Sequence, residues 1–413
     1  MLTVASLMMA SCVSDGTGPG GDPRFDPDSL RARFSLEPLG PTPFPANNPR
    51  SDARIALGQL LFFDPILSGE QDVSCSTCHH PEFHFADGRA LSAGVSGTGI
   101  GPARTLGTSA VSGSPIPLVP RNAPTVLNAG MTGNGSPTPS ATAPLFWDGR
   151  AAGLEGQVLF PIAAREEMRG DAYPSAVAVD SVVARLRAIP GYRQRFLVAF
   201  PAEAAADTTG TFAFIDASTM ARAVAAYERE LVTRNTPFDR FVAGDDEALT
   251  LAQRRGLSLF FSRARCFICH RGPMLSNFLF LVTGTPQTGP GKSVIPGDDT
   301  GREEHTGDPA DRYRFRVPGL RNVELTAPYM HDGSFQTLED VVRFYNDGAK
   351  PRHPAVSDDR LEVVLREPLG LTDQEVADLV AFMEALTDPG TDLDPALLQI
   401  PVSVPSGLPP VGN

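Results

Sequence analysis

The chain has 413 residues, 41% of them hydrophobic, which is enough for two ordinary cores and too many for one small module. A formal charge of -13 excludes a surface built to hold nucleic-acid phosphates or an anionic bilayer, and leaves a small molecule or another protein as the expected partner. No later segment is apolar for long enough to span a membrane.

The start, MLTVASLMMASC, is an apolar run closing on small residues before Cys12. It reads as the end of a bacterial lipoprotein signal, with Cys12 lipidated, although no Lys or Arg precedes it; an unstructured apolar N-terminus is the alternative. Export to the periplasm, with or without a lipid anchor at Cys12, is the expected compartment. Residues 13–48, rich in Gly, Pro and Asp, read as a flexible tether that completes an N-terminal 1–48 segment. Gly and Pro cluster again in 284–310, read as an inserted loop, and after Asp388, where 391–413 read as a Pro-rich tail.

Arg54 to Phe63 is apolar-periodic and predicts an amphipathic helix, ending in Gly58-Gln-Leu-Leu-Phe-Phe63 and followed by Cys75-Ser-Thr-Cys78-His79. The arrangement returns half a chain later: Leu251 to Phe261 ends in Gly256-Leu-Ser-Leu-Phe-Phe261 and leads into Cys266-Phe-Ile-Cys269-His270. C-x-x-C-H is the attachment signal of c-type haem, in which two thiols take up the vinyl groups of one porphyrin edge and the next residue brings imidazole to the iron. A zinc site built from both pairs would not need a histidine after each. A thioredoxin-like pair would lie between a strand and a helix, whereas these pairs follow helical stretches and precede loops. His79 and His270 are therefore the expected proximal ligands, and His80 and His84 are expected to be surface or pocket-rim residues.

The fold expected from this repeat is mainly α, with two cytochrome-c-like haem domains, 49–240 and 241–390, packed around a shared interface. A helix near Ala217 to Val232 and the segment Asn235 to Gly244 are expected to connect them. Thr372 to Leu386 fits the closing helix of the second, with Thr372 as N-cap and Val376, Leu379, Val380 and Met383 on one face.

The sixth position of each iron decides function, because two strong protein ligands make an electron carrier and an open face binds peroxide or dioxygen. Between His84 and His305 the only histidine is His270 of the second motif, so the first haem has no obvious distal imidazole. An open site is expected there, with Met131 and Met168 as soft alternatives. For the second haem, Thr337 and Asp340 form a capping box, Gly348 a stop, and Leu338, Val341, Val342 and Tyr345 one face of a short helix. Tyr345 reads either as a core residue or as an iron ligand.

From about Ile55 to Leu386 the sequence resembles the bacterial dihaem cytochrome c peroxidase and MauG family. Beyond the two motifs the likeness rests on Arg121-Asn-Ala-Pro-Thr-Val-Leu-Asn128, Phe146-Trp-Asp-Gly-Arg150, Glu166-Glu-Met168, Tyr227-Glu-Arg-Glu-Leu231 and Leu320-Arg-Asn-Val-Glu-Leu-Thr-Ala-Pro-Tyr-Met-His-Asp-Gly333. The resemblance implies that Trp147 lies between the two haems as an electron relay. It implies that Gln157 and Glu167 line the peroxide pocket, with Pro161 between them in sequence. It further implies a calcium ion held by Asn122, Thr326 and Pro328 between the domains, and it places His331 near the second haem. The stretch Phe85 to Pro120 lacks the histidine that caps the first iron in members needing prior reduction, so the first haem is expected to be open without activation. Tyr345, fourteen residues beyond His331, stands where those members carry methionine and MauG-like members tyrosine. A phenolate would lower the second haem's potential, since ligand choice contributes to a span of about 0.8 V across haem proteins.

The expected activity is a peroxidase that reduces hydrogen peroxide at the His79 haem, with the His270/Tyr345 haem storing or relaying oxidising equivalents. Its reductant would be a small cytochrome c or a cupredoxin. The first alternative is a MauG-like enzyme oxidising tryptophans of a partner protein, and the second a dihaem electron carrier without chemistry. Whether two chains dimerise is left open.

Overall fold

The computed structural model describes residues 23–390 and 392–412; the expected signal and the expected lipidation site at Cys12 lie outside them. The described chain is mostly helical, with two short antiparallel ladders, Pro144–Leu145 with Ala151–Ala152 and Phe280–Leu281 with Phe315–Arg316. No described helix is long and apolar enough to cross a membrane.

Two helix pairs organise the interior. Asp52–Phe63 starts where the Ser51 hydroxyl accepts the Arg54 N–H, and it packs against Ala217–Glu230, which opens on an Asp216/Thr219 capping box. Leu251–Phe260 packs in the same manner against Asp373–Glu384. The repeated glycine explains the closeness of both crossings. A Cβ on Gly58 would stand 2.0 Å from the carbonyl oxygen of Ala223, and one on Gly256 1.9 Å from that of Asp378. Only hydrogen fits, so the paired helices pack nearly backbone to backbone.

Each pair anchors its own core. Leu57, Leu61, Phe62, Phe63, Val224 and Tyr227 are buried in the first; Leu257, Phe260, Val376, Leu379 and Phe382 in the second. Thr372 caps its helix through a box with Glu375, and Thr337 caps Leu338–Asn346 through Asp340, both as the sequence predicts. Ala217–Glu230 differs from expectation: it is no connector but the partner of Asp52–Phe63. Its buried face runs nearly all round, from Met220 to Arg229, because other elements cover it as well.

Both chain ends cross over. Pro27–Phe34, capped by Asp26, buries Leu30 completely and lays Phe34 and Leu36 on the second core, while Arg31 pairs with Asp246. Residues 27–36 are thus folded, not the tether their Gly/Pro-rich setting suggested. Beyond Asp388 the chain returns to the first core, where Leu397, Leu398, Ile400 and Leu408 pack. There the Tyr227 hydroxyl donates to Leu397 O at 2.7 Å, Gln59 Nε2 to Ala396 O at 2.7 Å, and Ser406 Oγ to the buried Asp64 at 2.8 Å. The expected tail is a strap.

Candidate functional site

The first motif forms a single helical turn, Cys75–Cys78, with the Thr77 hydroxyl accepting the Ser74 N–H. His79 follows it, and its Nδ1 donates to the carbonyl of Phe85 at 3.1 Å, which turns Nε2 to the opposite side of the ring. The second motif repeats the device: His270 Nδ1 donates to Leu275 O at 2.9 Å. Burial lowers both imidazole pKa values to about 4, so each ring is neutral and has a lone pair to offer a metal.

The four thiols are free, and burial pushes Cys78 and Cys266 up to about 12 and Cys269 to about 11. Such thiols are poor redox nucleophiles. Among the described residues no three His, Cys, Asp or Glu side chains gather into a metal-holding group, so the two C-x-x-C pairs do not meet as a zinc site. Free, inward-facing cysteines beside a fixed imidazole are the donor set that covalent haem requires, and both motifs provide it.

A cavity of about 790 Å³ opens on Cys75, Cys78 and His79, within the range of cofactor sites. Gln157, Pro161, Glu167, Trp147 and Asn122 also line it, so the structure brings the predicted residues of the first site into one space. Glu167 sits in a single π-helical turn, Arg165–Arg169, a local widening that redirects side chains. Its backbone is clamped, since Val95 N–H donates to Glu167 O at 2.9 Å. Desolvation, reinforced by the Glu166 charge and partly offset by Arg150, raises the Glu167 carboxyl to about 7. A carboxyl that titrates near neutrality can both take and return a proton. Gln157 ends the short helix Gly153–Gln157.

Trp147 lies in the loop between the strands Pro144–Leu145 and Ala151–Ala152, which is joined to the second ladder by Arg316 N–H donating to Trp147 O at 2.7 Å. Its indole N–H donates to Asn122 O at 3.0 Å, and its ring meets His331 edge-on at 6.4 Å. His331 is stacked on Phe315 at 3.8 Å. Beside this column Arg121 is held by Asp148, Asp299 and Glu304 at 2.5 to 2.9 Å, and Asp299 comes from the expected inserted loop. Sequence reasoning missed Arg121 as a hub and Arg316 as a cavity residue, because arginines are common in this chain and only their carboxylate neighbours distinguish them.

The expected calcium residues are gathered in part. Asn122 Nδ2 donates to Arg89 O at 2.8 Å and to Pro328 O at 3.4 Å, while the Thr326 hydroxyl donates to Val323 O. Asn122 thus turns its amide nitrogen to the Pro328 carbonyl, where calcium would need an oxygen.

Around His270, the helix Leu338–Asn346 turns Leu338 and Val342 into the second core, and Phe344 into a smaller one with Tyr313, Val356 and Leu361. Tyr345 is half-buried, as is Val341. Its phenol is raised above the ordinary value by desolvation and by the nearby sulfurs of Cys269 and Cys266, with a hydrogen bond from Thr283 working the other way. Tyr345 packs against that smaller core, within electrostatic reach of the second cysteine pair.

Two expectations change. His80 is 3% exposed, not a surface or rim residue: its Nδ1 accepts the Glu82 N–H and its ring lies against Gly412 of the C-terminal strap. Met131 does not border the cavity; it is fully buried with Val232, Met274 and Phe278, which removes it as an axial ligand. Met168 borders the cavity but packs into the first core.

Fold and site together define a helical protein with two sites for covalently attached haem, one of them opening on a largely apolar cavity that holds a buried carboxyl. The family model described as di-haem cytochrome c peroxidase matches residues 52–247. The chain is 34% identical to the cytochrome-c peroxidase IdrP1 of Denitromonas iodatirespirans, over 95% of each chain. It is 33% identical to the methylamine utilization protein MauG of Methylorubrum extorquens, over 95% of this chain and 93% of that protein. A crystal structure of a MauG-like protein associated with microbial copper homeostasis superposes with a TM-score of 0.67 at 31% identity, covering 89% of this chain and 98% of the other. The chain belongs to the dihaem cytochrome c peroxidase and MauG family, and is an oxidoreductase acting on peroxide. Membership implies two haems c, which the free cysteines and fixed imidazoles fit.

Proposed function

We propose that the protein is an exported dihaem peroxidase that reduces hydrogen peroxide in the cavity beside His79. Cys75 and Cys78 would hold the first haem and His79 its iron; Cys266, Cys269, His270 and Tyr345 would hold the second. When bound, haem supplies the electrons that break the O–O bond, and overall hydrogen peroxide takes up two electrons and two protons to leave as two waters. Glu167 takes the proton from one peroxide oxygen and returns it to the other as that oxygen departs. Gln157 orients the peroxide by hydrogen bonding, and Pro161 and Val158 keep that side of the cavity apolar. Trp147, fixed by Asn122 and flanked by His331, offers an aromatic relay between the two sites. The observation that carries the reading is Glu167, a carboxyl of pKa about 7 set in the cavity that His79 faces.

Two cytochrome-c-like units, 49–240 and 241–390, fit the paired helices and separate cores. Turning the Asn122 amide over would offer its oxygen, with the carbonyls of Thr326 and Pro328, to calcium. Tyr345 favours the MauG-like alternative, in which a partner protein's tryptophans serve as reductant, because an anionic ligand stabilises high oxidation states of a storage haem. A small cytochrome or cupredoxin serves in the peroxidase reading.

The test is Glu167→Gln in the dihaem protein, mixed rapidly with hydrogen peroxide. General acid–base help is typically worth about 10²- to 10⁴-fold, and a loss in that range with both haems attached is expected. An unchanged rate would remove Glu167 from the mechanism. Adding a reduced small cytochrome then separates the readings: fast turnover supports the peroxidase, and a long-lived oxidised state indifferent to it supports protein modification.

A further inference from the structure

Arg104 is 5% exposed, and among the described residues no carboxylate lies within ion-pairing distance of it. Its guanidinium is spent on three backbone carbonyls instead: Nε on Ala93 O at 2.6 Å, one terminal nitrogen on Gly94 O at 2.7 Å and the other on Gly99 O at 2.7 Å. The charges of Asp72 and Asp87 favour this cation from beyond ion-pair distance but do not outweigh the cost of burying it, so the turn that takes up its hydrogen bonds must need holding. That turn presses on the catalytic wall. A Cβ on Gly94 would stand 2.1 Å from Glu166 O and 2.4 Å from Glu167 O, and Val95 N–H donates to Glu167 O at 2.9 Å. The turn is fastened from its far side too, by Ser96 N–H to Asp72 at 2.6 Å and Ser96 Oγ to Glu70 at 3.0 Å.

We propose that Arg104 is the positioning residue for Glu167: it fixes the Ala93–Gly99 turn, and the turn fixes the backbone from which the Glu167 carboxyl reaches the peroxide. The inference rests on the role given to Glu167. A planar fork is what the task requires, since three carbonyls converge on one head group; an ammonium is a point charge and cannot match that spread.

The experiment is a double-mutant cycle in the dihaem protein, with the rate of reaction with hydrogen peroxide followed in the Soret band. A misplacement of about 1 Å can cost on the order of 10²-fold, and Arg104→Ala is expected to approach that loss. In a Glu167→Gln background Arg104→Ala should cost almost nothing further, since the group it positions is already gone. Arg104→Lys should recover part of the rate, and Arg104→Ala should also erase the fall in rate below pH 7 that Glu167 causes. If Arg104→Ala slows the Glu167→Gln protein by the same factor as the parent, or leaves the parent unaffected, the proposal is overturned. Should Arg104→Ala fail to fold, Gly94→Ala disturbs the same contact with Arg104 intact and should give the same non-additive loss; an additive loss overturns the proposal. A Glu167→Gln protein that reacts normally would instead sink the role of Glu167 itself, and the two failures are told apart.

Discussion

Glu167 meets a cavity wall that offers its charge little support, and the sign of its pH dependence follows. As the base, it must be ionised to accept the peroxide proton. With its pKa raised to about 7, the carboxylate fraction falls as pH drops through that value. The rate of peroxide cleavage should therefore decline about tenfold per unit below pH 7, and a stopped-flow profile flat from pH 5 to 8 would contradict this. Tyr345 carries a prediction of another kind. Thioether raises the potential of an iron that phenolate holds low, so Tyr345→Met should shift the second haem upward in a spectroelectrochemical titration. An unaltered potential would reduce Tyr345 to packing. Legibility at this scale is uneven. The cysteines and His79 are readable because covalent attachment dictates their spacing, whereas Glu167 is one of 48 acids and is distinguished only by the family pattern and by where the chain folds it. His80 was misread because the strap residue that covers it, Gly412, is more than three hundred positions away.

Helix crossings carry the repeat from sequence into architecture. Gly58 and Gly256 sit at equivalent places, and at each the opposing carbonyl lies where a methyl would go. Alanine is worth up to about 1 kcal/mol over glycine in an exposed helix, so a substitution that destabilises despite that advantage reports the crossing itself. Gly58→Ala and Gly256→Ala should each cost about 1 to 3 kcal/mol, the usual range for overpacking. Gly156, helical with nothing within 4 Å of a Cβ, is the internal control and should tolerate alanine without loss. Urea titration of the three variants decides the matter, and three equal shifts would refute the packing account. The helices and their caps were legible, Thr372 and Thr337 included, because periodicity and capping are local. The partnership of Ala217–Glu230 was not: that helix is buried nearly all round, and its pattern says that it is covered without saying by what.

Across the whole molecule the chain ends exchange places. Residues 27–36 lie on the second core, while Leu397, Leu398, Ile400 and Leu408 lie on the first, so each core is completed by chain from beyond the other. Composition hid this, because Gly- and Pro-rich segments look like linkers until their few apolar residues find a surface. The buried group Arg121–Asp148–Asp299 adds a second tie, joining the region of Trp147 to the loop between the strands of the second ladder. Such crossings couple the unfolding of the two cores, since neither can open without releasing a strap from its neighbour. One cooperative thermal transition is the expected behaviour of the intact dihaem protein. Removing residues 392–413 uncovers the strap's contact face, deprives the Tyr227 hydroxyl of its acceptor and takes one donor from the buried Asp64, which keeps those of Tyr192 and Ile66. Each hydrogen bond lost costs about 1 kcal/mol, and each buried Leu or Ile side chain uncovered about 1.5 to 3 kcal/mol. In calorimetry the truncated protein should melt in two steps, with the lower one reporting the first core through its haem absorbance and the upper one close to the parent. A single transition at the parent temperature would mean that the strap lies on the first core without stabilising it.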